Sequence, residues 1–438
     1  MIRITKSRKR GLKTALTRFI PSHLALVACM IGCSSSGNFR LPDTIPDDRN
    51  PIPKPKQRDI NIAGDAFDNQ FVDQLDQSFE LSRQVRNIFG RRKQAMNVDA
   101  YGEVANSSWF TNRNAKKLMS IEEIKKGPNT GTGPDMSGIW TITGAKSEGI
   151  TPGFQVKDRR GDTYFIKFDP KAYGELASGA EAVSTRLFYA MGYNVPENYI
   201  VYFHPRMLKL AEQVKIIDGK GRERLMEISD IEEIFAKVAS PLPDGRHRVL
   251  ASKRLAGEGL GPFRYKGTRR DDPNDIIPHQ HHRELRGLRL PSAWLNHFDT
   301  KDGNSLDMYV TEDNKSHVEH YLIDFGATLG SASYRPNHPW RGHENSFDPH
   351  VIAMNILTVG LYVRAWEKLE GVRFPSIGLY ESKLFHPQKY KPQIPNPAFE
   401  NMTNLDGYWG AKLVMSFTDE QLETAVAQGQ YSNPEAAR

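Results

Sequence analysis

The order of secondary-structure patterns after Gly138 is the feature that most restricts how this chain can fold. Short segments in which apolar and polar residues alternate are typical of half-buried strands. After three such segments, an apolar stripe at helical spacing covers 175–191 and ends at Gly192, and two more strand patterns follow. The later patterns are mainly helical. This order predicts an α+β fold with a small β-rich lobe followed by a larger helical lobe. The predicted strands are residues 140–143, 154–157, 163–168, 199–203 and 247–252.

Proline-rich and glycine-rich segments divide the chain into five regions. Helices are predicted at 71–89 and 351–369, and the glycine-rich segment 257–261 is interpreted as a hinge loop. The expected regions are a targeting segment at 1–33, a Pro-rich tether at 34–62, a helical N-terminal extension at 63–137, a two-lobed domain at 138–370, and a C-terminal wrap with short helices at 371–438.

Much of the positive charge is confined to the N-terminal end. The formal net charge is +7, but the first 18 residues contain seven Lys and Arg residues and no acid. The rest of the chain is close to neutral, so the basic balance indicates a targeting segment and no nucleic-acid partner. The apolar run at 24–32 is shorter than the roughly 20 residues that a membrane-spanning helix needs.

This N-terminal segment resembles a bacterial lipoprotein signal, in which the cysteine after the cleavage site carries the lipid. Cys29 follows the better lipobox, whereas Cys33 follows a more usual apolar length and precedes a Ser/Gly tether, so we favour Cys33. The expected location is the bacterial cell envelope, lipid-anchored and facing the periplasm or the surface. The alternatives are a plain secretory signal or an anchored N-terminus. If the signal is misread, the protein is cytoplasmic. Since both cysteines lie here, no later disulfide is possible.

Two short stretches about 20 residues apart carry the residue types that phosphoryl transfer needs. Asp299 is followed five residues later by Asn304, and Asp324 ends an apolar strand in a D-F-G triplet. A carboxylate that orients the acceptor and oxygen ligands for magnesium are the elements of a kinase site. A β-turn at 302–303 and a strand-ending turn at 324–326 are the plain structural alternatives. A calcium loop is excluded, because Lys301 stands where an oxygen ligand is required.

A lysine in an apolar strand points to the same chemistry. Lys167 is the one cation in the pattern 164–168, and a half-buried lysine is costly unless it is paired. Glu181, on the predicted helix that follows, can pair with it, although a lysine snorkelling from an edge strand is the alternative. The flexible segment Gly144-Ala-Lys146 to Gly149 lies between strands, where backbone N–H groups can cover phosphates.

Taken in order, these motifs resemble the atypical protein-kinase-like superfamily that includes HipA-like kinases and the phosphatidylinositol 3- and 4-kinases. Gly144-Ala-Lys146 is similar to the HipA-type phosphate loop, and the helix around Glu181 with the turn Gly192 to Pro196 is similar to the HipA helix and its following turn. The resemblance covers about 138–330 and implies a bilobal protein-kinase-like fold that uses ATP and Mg²⁺ or Mn²⁺; we assign the whole domain to 138–370. The resemblance implies that phosphate is bound by Gly144, Lys146, Gly149 and Lys167, and that Glu181 orients Lys167. It also implies that Asp299 is the catalytic base, with Lys301 grouped beside it, and that the metal is held by Asn304 and Asp324. The adenine would lie near Lys253 and Leu255.

The sequence departs from the kinase pattern in the catalytic loop. His297 and Asp299 are present, but Phe298 replaces the arginine between them, and no activation segment is recognisable. The predicted function is a Mg-ATP-dependent phosphotransferase acting on an unknown protein or small-molecule acceptor. The alternative is a catalytically silent kinase-fold lipoprotein that binds a nucleotide-like ligand or a protein partner at the cell envelope.

Two other groups of residues have weaker functional interpretations. The histidines at 279, 281 and 282 can form a metal site, but a polar loop of this kind is usually solvated. Arg283, Arg286 and Arg289 form a basic face that can meet phosphate, although such arginines are more often solvated.

Overall fold

The computed structural model describes residues 47–59, 61–145, 152–217, 222–369, 371–382 and 386–438. It confirms the predicted α+β class, with a β-rich lobe followed by a mainly helical lobe. None of the helices in the described ranges is long and apolar enough to cross a bilayer.

A six-stranded sheet forms the β-rich lobe, in the order β4-β8-β3-β2-β1-β5. Neighbouring strands are antiparallel except β1 and β5. The sheet forms because alternate side chains bury one face in an apolar cluster that includes Trp140, Ile166 and Phe203. The strands of this lobe are β1 (Trp140–Ala145), β2 (Gly153–Lys157), β3 (Thr163–Phe168), β4 (Asn198–Phe203), β5 (Leu208–Leu210), the hairpin strands β6 (Lys215–Ile217) and β7 (Glu223–Leu225), and β8 (His247–Lys253).

The five strands predicted from the sequence all appear in this lobe. The predicted helix at 175–191 also appears and begins one residue later, at Leu176. It ends at Gly192, whose φ of 121° is a conformation that residues with a side chain rarely adopt.

A second, three-stranded sheet in the order β11-β10-β9 contains, as β11, the strand predicted before Asp324; the other two strands were not predicted. The segment 257–261, interpreted as a hinge loop, contains its edge strand, so that interpretation is wrong. The strands are β9 (Glu258–Gly261), β10 (Ser305–Glu312) and β11 (Lys315–Leu322).

Two predicted helices are shorter or broken. The helix at 71–89 is interrupted at Glu80, and the helix at 351–369 ends at Leu357, where Val359 (φ 52°) and Gly360 (φ 83°) turn the chain. The helices are α1 (Ile62–Phe67), α2 (Asp73–Phe79), α3 (Leu81–Ile88), α4 (Ile121–Lys126), α5 (Leu176–Met191), α6 (Ile228–Lys237), α7 (Arg283–Gly287), α8 (Arg289–Trp294), α9 (Pro349–Leu357), α10 (Pro397–Glu400), α11 (Asn404–Val414), α12 (Asp419–Ala427) and α13 (Pro434–Ala437), with a π-turn at Asp68–Val72.

The largest apolar cluster lies behind α5 and joins distant parts of the chain. It includes Trp109 from the N-terminal extension, Phe188 on α5, Phe325 after β11, and Trp409 on α11. Because α5 also contacts β3, β4 and β8, this helix connects the large sheet to the helical lobe.

An extended segment at 49–58, part of the predicted tether, packs along the three-stranded sheet. Ile52 is buried and its N–H donates to the Ser316 carbonyl O at 2.9 Å. Arg49 Nε lies 2.7 Å from Glu319 Oε1 on β11, and the N–H of Arg58 donates to the Leu260 carbonyl O at 2.7 Å.

Candidate active site

Lys167 lies on the face of β3 opposite the apolar core. Tyr164, Ile166 and Phe168 are buried in the sheet cluster, so the alternation of the strand turns Lys167 the other way, towards α5. There its Nζ lies 2.7 and 3.0 Å from the two carboxylate oxygens of Glu181. The pairing holds the ammonium group at the boundary between the sheet and the helical lobe.

Asp324 is the second carboxylate that contacts this lysine. Its Oδ1 lies 3.1 Å from Lys167 Nζ. Burial by itself lowers the pKa of Lys167, but the charges of Asp324 and Glu181 outweigh it, so the pKa is raised. Lys167 therefore stays protonated at physiological pH. Of the two acids, the Glu181 side chain is 3% exposed and that of Asp324 is 43% exposed, so Asp324 is the one open to a ligand.

The residues after Asp324 fix its position. Asp324 itself has a φ of 63°, in the left-handed region. Phe325 is fully buried, and its ring stacks on that of Phe188 with centroids 4.7 Å apart. At Gly326 an added Cβ would lie 3.1 Å from Ser333 Oγ and 3.6 Å from Glu181 Oε2. The D-F-G triplet thus places the Asp324 carboxylate beside Lys167 and the Phe325 ring in the core. At Gly326 it allows the backbone to pass close to its neighbours.

Asp299, Lys301 and Asn304 form a compact group in the loop before β10. Lys301 Nζ lies 2.9 Å from Asp299 Oδ2. Asn304 Nδ2 donates to the Asp299 carbonyl O at 2.7 Å and to its Oδ2 at 3.1 Å. Because the side-chain amide nitrogen of Asn304 faces Asp299, the side-chain Oδ1 of Asn304 remains as an acceptor. A carboxylate and an amide oxygen are the hard donors that Mg²⁺ and Mn²⁺ prefer, so Asp324 and Asn304 fit such an ion.

The structure brings the two motifs together. The N–H of Ile323, adjacent to Asp324, donates to the Asn304 carbonyl O at 3.0 Å. Burial lowers the pKa of His297, while the negative charges of both Asp299 and Asp324 oppose this effect. The buried His297 ring packs against that of Phe325, the residue after Asp324, with centroids 5.6 Å apart. The carbonyl of His297 accepts a hydrogen bond from the Tyr390 hydroxyl at 2.5 Å, which fixes the start of the loop.

The remaining predicted residues are placed less centrally. Gly144 lies in β1 opposite Gln155, whereas Lys146 and Gly149 lie outside the described residues. Lys253 ends β8, and its Nζ lies 3.6 Å from Asp162 Oδ1. Leu255, two residues later, is partly buried. Leu250, earlier on β8, lines the small cavity that Lys167, Glu181 and Asp324 also line.

Arg341 is a residue near the loop that the sequence analysis missed. Its guanidinium lies over the Phe298 ring, 4.6 Å from the centroid, and over the Trp340 ring at 4.1 Å. Burial lowers its pKa and the charge of Asp299 opposes that effect. Its Nη1 is buried without a hydrogen-bond partner among the described residues. No motif marks this arginine, because it lies in an irregular loop 42 residues after Asp299.

The two weaker groups are largely structural. His279 Nε2 lies 2.7 Å from Asp275 Oδ2, and His282 Nδ1 lies 3.0 Å from Glu284 Oε1. Across the described ranges, no group of three or more His, Cys, Asp or Glu side chains has metal-site geometry. Arg283 and Arg286 are buried and both pair with Asp406, so they do not form a solvated face.

Comparison with known proteins gives distant likenesses only. No protein-family model matches the chain, and no curated protein matches it. Among solved structures, a proinflammatory kinase of Helicobacter pylori, CtkA, superposes with a TM-score of 0.30 and 11% identity, over 68% of this chain and 93% of that one. The Golgi casein kinase with Mn/ADP bound gives a TM-score of 0.30 and 12% identity, over 88% of this chain and 100% of that one. Hydra Fam20 with sugar gives a TM-score of 0.26 and 12% identity, over 75% of this chain and 96% of that one.

We therefore base the functional interpretation on the geometry of the chain itself. A lysine on the third strand that pairs with a helix glutamate, followed by a D-F-G turn beneath it, is the arrangement of a kinase-like fold. The HipA-like subtype stays a prediction.

Proposed function

We propose that this chain is a phosphotransferase of atypical kinase type that uses ATP with Mg²⁺ or Mn²⁺. The observation that carries the proposal is the contact of Lys167 with both Glu181 and Asp324. A lysine held by a buried glutamate is positioned to bind the phosphates of a nucleotide, and a more exposed acid beside it is positioned to bind the metal.

Each side chain then has one task. Lys167 holds phosphate oxygens through its ammonium group, and Glu181 keeps it oriented. Asp299 accepts the proton of the acceptor hydroxyl, and Lys301, 2.9 Å from its Oδ2, holds that carboxylate in place. Asn304 and Asp324 hold the divalent ion, which when bound neutralises charge that develops on the phosphates.

The proposal is tested by the nucleotide dependence of thermal unfolding. We expect ATP with Mg²⁺ or Mn²⁺ to raise the melting temperature of the full-length protein, and Asp324→Asn to abolish this metal-dependent increase. Asparagine tolerates the left-handed backbone at this position, so the variant removes a charge without adding strain. Asp313→Asn is a matched control, since Asp313 also has a positive φ (48°) but lies in the β10–β11 turn.

Transfer of radiolabelled phosphate from ATP separates an enzyme from a silent binder. We expect Asp299→Asn to reduce the transfer rate on the order of 10²–10⁴-fold while the thermal shift is kept. A thermal shift without transfer in the unmodified protein would favour the silent, ligand-binding alternative. No shift with any nucleotide or metal would overturn the proposal.

We also propose that a lipid on Cys33, or on Cys29, anchors the protein to a bacterial membrane. The basic segment, the short apolar run and the cysteine that follows it support this proposal. Incorporation of a labelled fatty acid should disappear in Cys33→Ser, and the protein should move to the soluble fraction. Incorporation that persists in Cys33→Ser and is lost in Cys29→Ser would assign the lipid to Cys29.

A further inference from the structure

A second cavity, separate from the kinase-like site, is lined mainly by basic side chains. It has a volume of ≈ 360 Å³ and lies between α3, the segment after it, the turn at His279–His281 and α10. Its size is that of a small-molecule site. We call it the basic cavity. The charged residues that line it are Arg83, Arg86, Arg92, Lys93 and Lys266 with the two acids Glu80 and Glu400.

Both acids already have partners. Glu80 Oε1 accepts a hydrogen bond from Arg86 Nη2 at 2.9 Å, and Glu400 Oε1 accepts one from Gln74 Nε2 at 2.6 Å. Lys266 pairs with Asp73 at 2.7 Å, a residue outside the lining. The acids therefore neutralise only part of the positive charge.

Three of the cations have no acid within ion-pair distance in the part of the chain that the structure describes. Arg83 donates to neutral oxygens, Asn401 Oδ1 at 3.2 Å and the Glu400 carbonyl O at 3.4 Å. Arg92 donates to the Met402 carbonyl O at 3.3 Å, and Lys93 lies in an exposed position beside it. These groups keep a full charge for a ligand.

Electrostatic repulsion inside the cavity is visible in the pKa values. Partial desolvation of the ammonium group, followed by the charges of Arg286 and Arg86, lowers the pKa of Lys93. Burial lowers the pKa of Arg83; the charges of Glu400 and Glu80 oppose this effect, and those of Arg92 and Arg86 add to it. Burial, Lys93 and Arg286 lower the pKa of His281 to about 4, so this imidazole is neutral. A bound anion would reverse the repulsive part of each shift.

Arg286 fixes the backbone of the cavity wall through hydrogen bonds. This arginine is fully buried, and its Nη1 donates to the Lys93 carbonyl O at 3.0 Å while its Nε donates to the Gln280 carbonyl O at 2.6 Å. Its Nη2 lies 2.5 Å from Nδ1 of the neutral His281. Backbone that is fixed in this way presents Arg92 and Lys93 without a large ordering cost.

We propose that the basic cavity binds a small anion that carries two or more phosphate groups. Guanidinium groups match phosphate geometry in a bidentate manner, and the cluster is concave and local rather than a long basic stripe of the kind that binds nucleic acid. This site is distinct from the nucleotide site, because none of its lining residues lines the Lys167 cavity.

The walls of the basic cavity also support the catalytic loop. Lys266 follows Tyr265, whose N–H donates to Asp302 Oδ1 at 3.2 Å. Asn396, which caps α10, donates from Nδ2 to the Thr300 carbonyl O at 3.0 Å. An anion that holds these walls together therefore also stabilises residues 300–302 of the loop.

The test is a titration of the full-length protein with inorganic tripolyphosphate in EDTA, followed by thermal unfolding. The pocket variant is Arg92→Gln/Lys93→Gln, which changes two exposed side chains and keeps the Lys93 carbonyl that Arg286 contacts. Lys125→Gln is the matched control, since Lys125 is an exposed lysine on α4. Lys167→Met/Glu181→Gln reports on the nucleotide site, because it removes the proposed phosphate ligand there together with its buried partner.

We expect saturable stabilisation of the unmodified protein, Lys125→Gln and Lys167→Met/Glu181→Gln, with an apparent Kd weaker by on the order of tenfold or more in the pocket variant. Absence of stabilisation in the unmodified protein would refute the proposal. Equal stabilisation of the pocket variant would also refute it, as would loss in Lys167→Met/Glu181→Gln alone, which would assign the anion to the nucleotide site.

Vesicles distinguish two sources of the same chemistry. Capture by vesicles that contain phosphorylated phosphatidylinositol, compared with phosphatidylcholine alone and lost in the pocket variant, would identify a lipid headgroup as the ligand. Tripolyphosphate binding without such selective capture would identify a soluble anion.

Discussion

Left-handed backbone conformations cluster around the candidate active site. Asp324 (φ 63°) and Ser333 (φ 66°) border the Lys167 cavity, and Asn296 (φ 46°) directly precedes His297. A non-glycine residue in this region costs roughly 1–2 kcal/mol relative to ordinary backbone. The surrounding packing, with Phe325 stacked on Phe188, holds this strain in place. At this scale the packing of Phe325 and Phe188 in the core preorganises the site.

The buried Lys167–Glu181 pair is expected to show strong non-additivity. Lys167→Met leaves the Glu181 carboxylate, 3% exposed, without its main partner, so we expect a loss of about 3–5 kcal/mol in the free energy of unfolding. Adding Glu181→Gln removes the buried negative charge and should restore much of that loss. Urea unfolding of the four proteins measures the coupling. Simple additivity of the two single changes would contradict the pairing.

Asp302 is expected to make stability depend on pH. Burial raises the pKa of its carboxyl group to about 6, against 3.8 in an unfolded chain. The folded protein then binds the extra proton between these values, so this contribution to stability is lost as the pH rises from about 4 through about 6.

Asp302→Asn should therefore be more stable than the unmodified protein by about 1–3 kcal/mol at pH 7.5 and nearly equal at about pH 4. The asparagine Oδ1 can still accept the hydrogen bond from the Tyr265 N–H. Urea unfolding at the two pH values checks the difference. A stability difference of the same size at both would refute the assignment.

At the scale of elements, α5 is the part on which the site depends most. It supplies Glu181 to the cleft and Phe188 to the core, and it ends where Gly192 turns the chain. An added Cβ at Gly192 would lie 2.3 Å from the Phe110 ring and 2.7 Å from the Thr111 carbonyl O. The end of the helix is thus in direct contact with the N-terminal extension.

Gly192→Ala should lower the free energy of unfolding by about 2–4 kcal/mol, because the side chain meets both backbone strain and a clash. Gly90→Ala is the matched control. Gly90 also has a positive φ (65°) after a helix, but its Cβ would have nothing within 4 Å. Its cost should be only about 1 kcal/mol, from the backbone alone. Equal costs in thermal or urea unfolding would contradict the close approach of Phe110.

The sequence predicted the elements whose burial follows a simple apolar period and missed those that bury paired charges. β3 and α5 were predicted because Ile166 and Leu187 belong to regular apolar patterns. β10 was not predicted, and only the apolar end of β11 before Asp324 was, because both strands carry buried polar residues: His320 pairs with Asp307 at 2.6 Å. Such pairs are long-range contacts, so a local pattern cannot reveal them. The D-F-G turn was recognisable because it is a local motif, whereas Arg341 was not, because its contacts with the catalytic loop are long-range.

At the scale of the molecule, the segment 49–58 joins the N-terminal end to the three-stranded sheet. Its strongest polar contact is Arg49 with Glu319, whose side chain is 8% exposed and which also contacts Asn194 and His317. Burial raises the pKa of Glu319, and the charge of Arg49 opposes the effect. The segment is therefore held by a partly buried ion pair.

Arg49→Ala should destabilise the protein by about 1–3 kcal/mol and make the segment more accessible to protease, because the Glu319 carboxylate loses its charged partner. Lys54→Ala is the control. Its ion pair with Glu258 is exposed (47% and 59%), and we expect at most about 1 kcal/mol. Limited proteolysis and urea unfolding together measure the effect. Equal behaviour of the two variants would mean that Arg49 does not secure the segment.

The attachment of Arg49 to Glu319 also fixes a distance limit. A lipid on Cys33 would be separated from Arg49 by 16 residues, and a fully stretched chain of that length spans at most about 50–60 Å. The ion pair would then fix one end of this segment, and the lipid would fix the other. The protein would therefore reach acceptors near the bilayer surface and not those far from it.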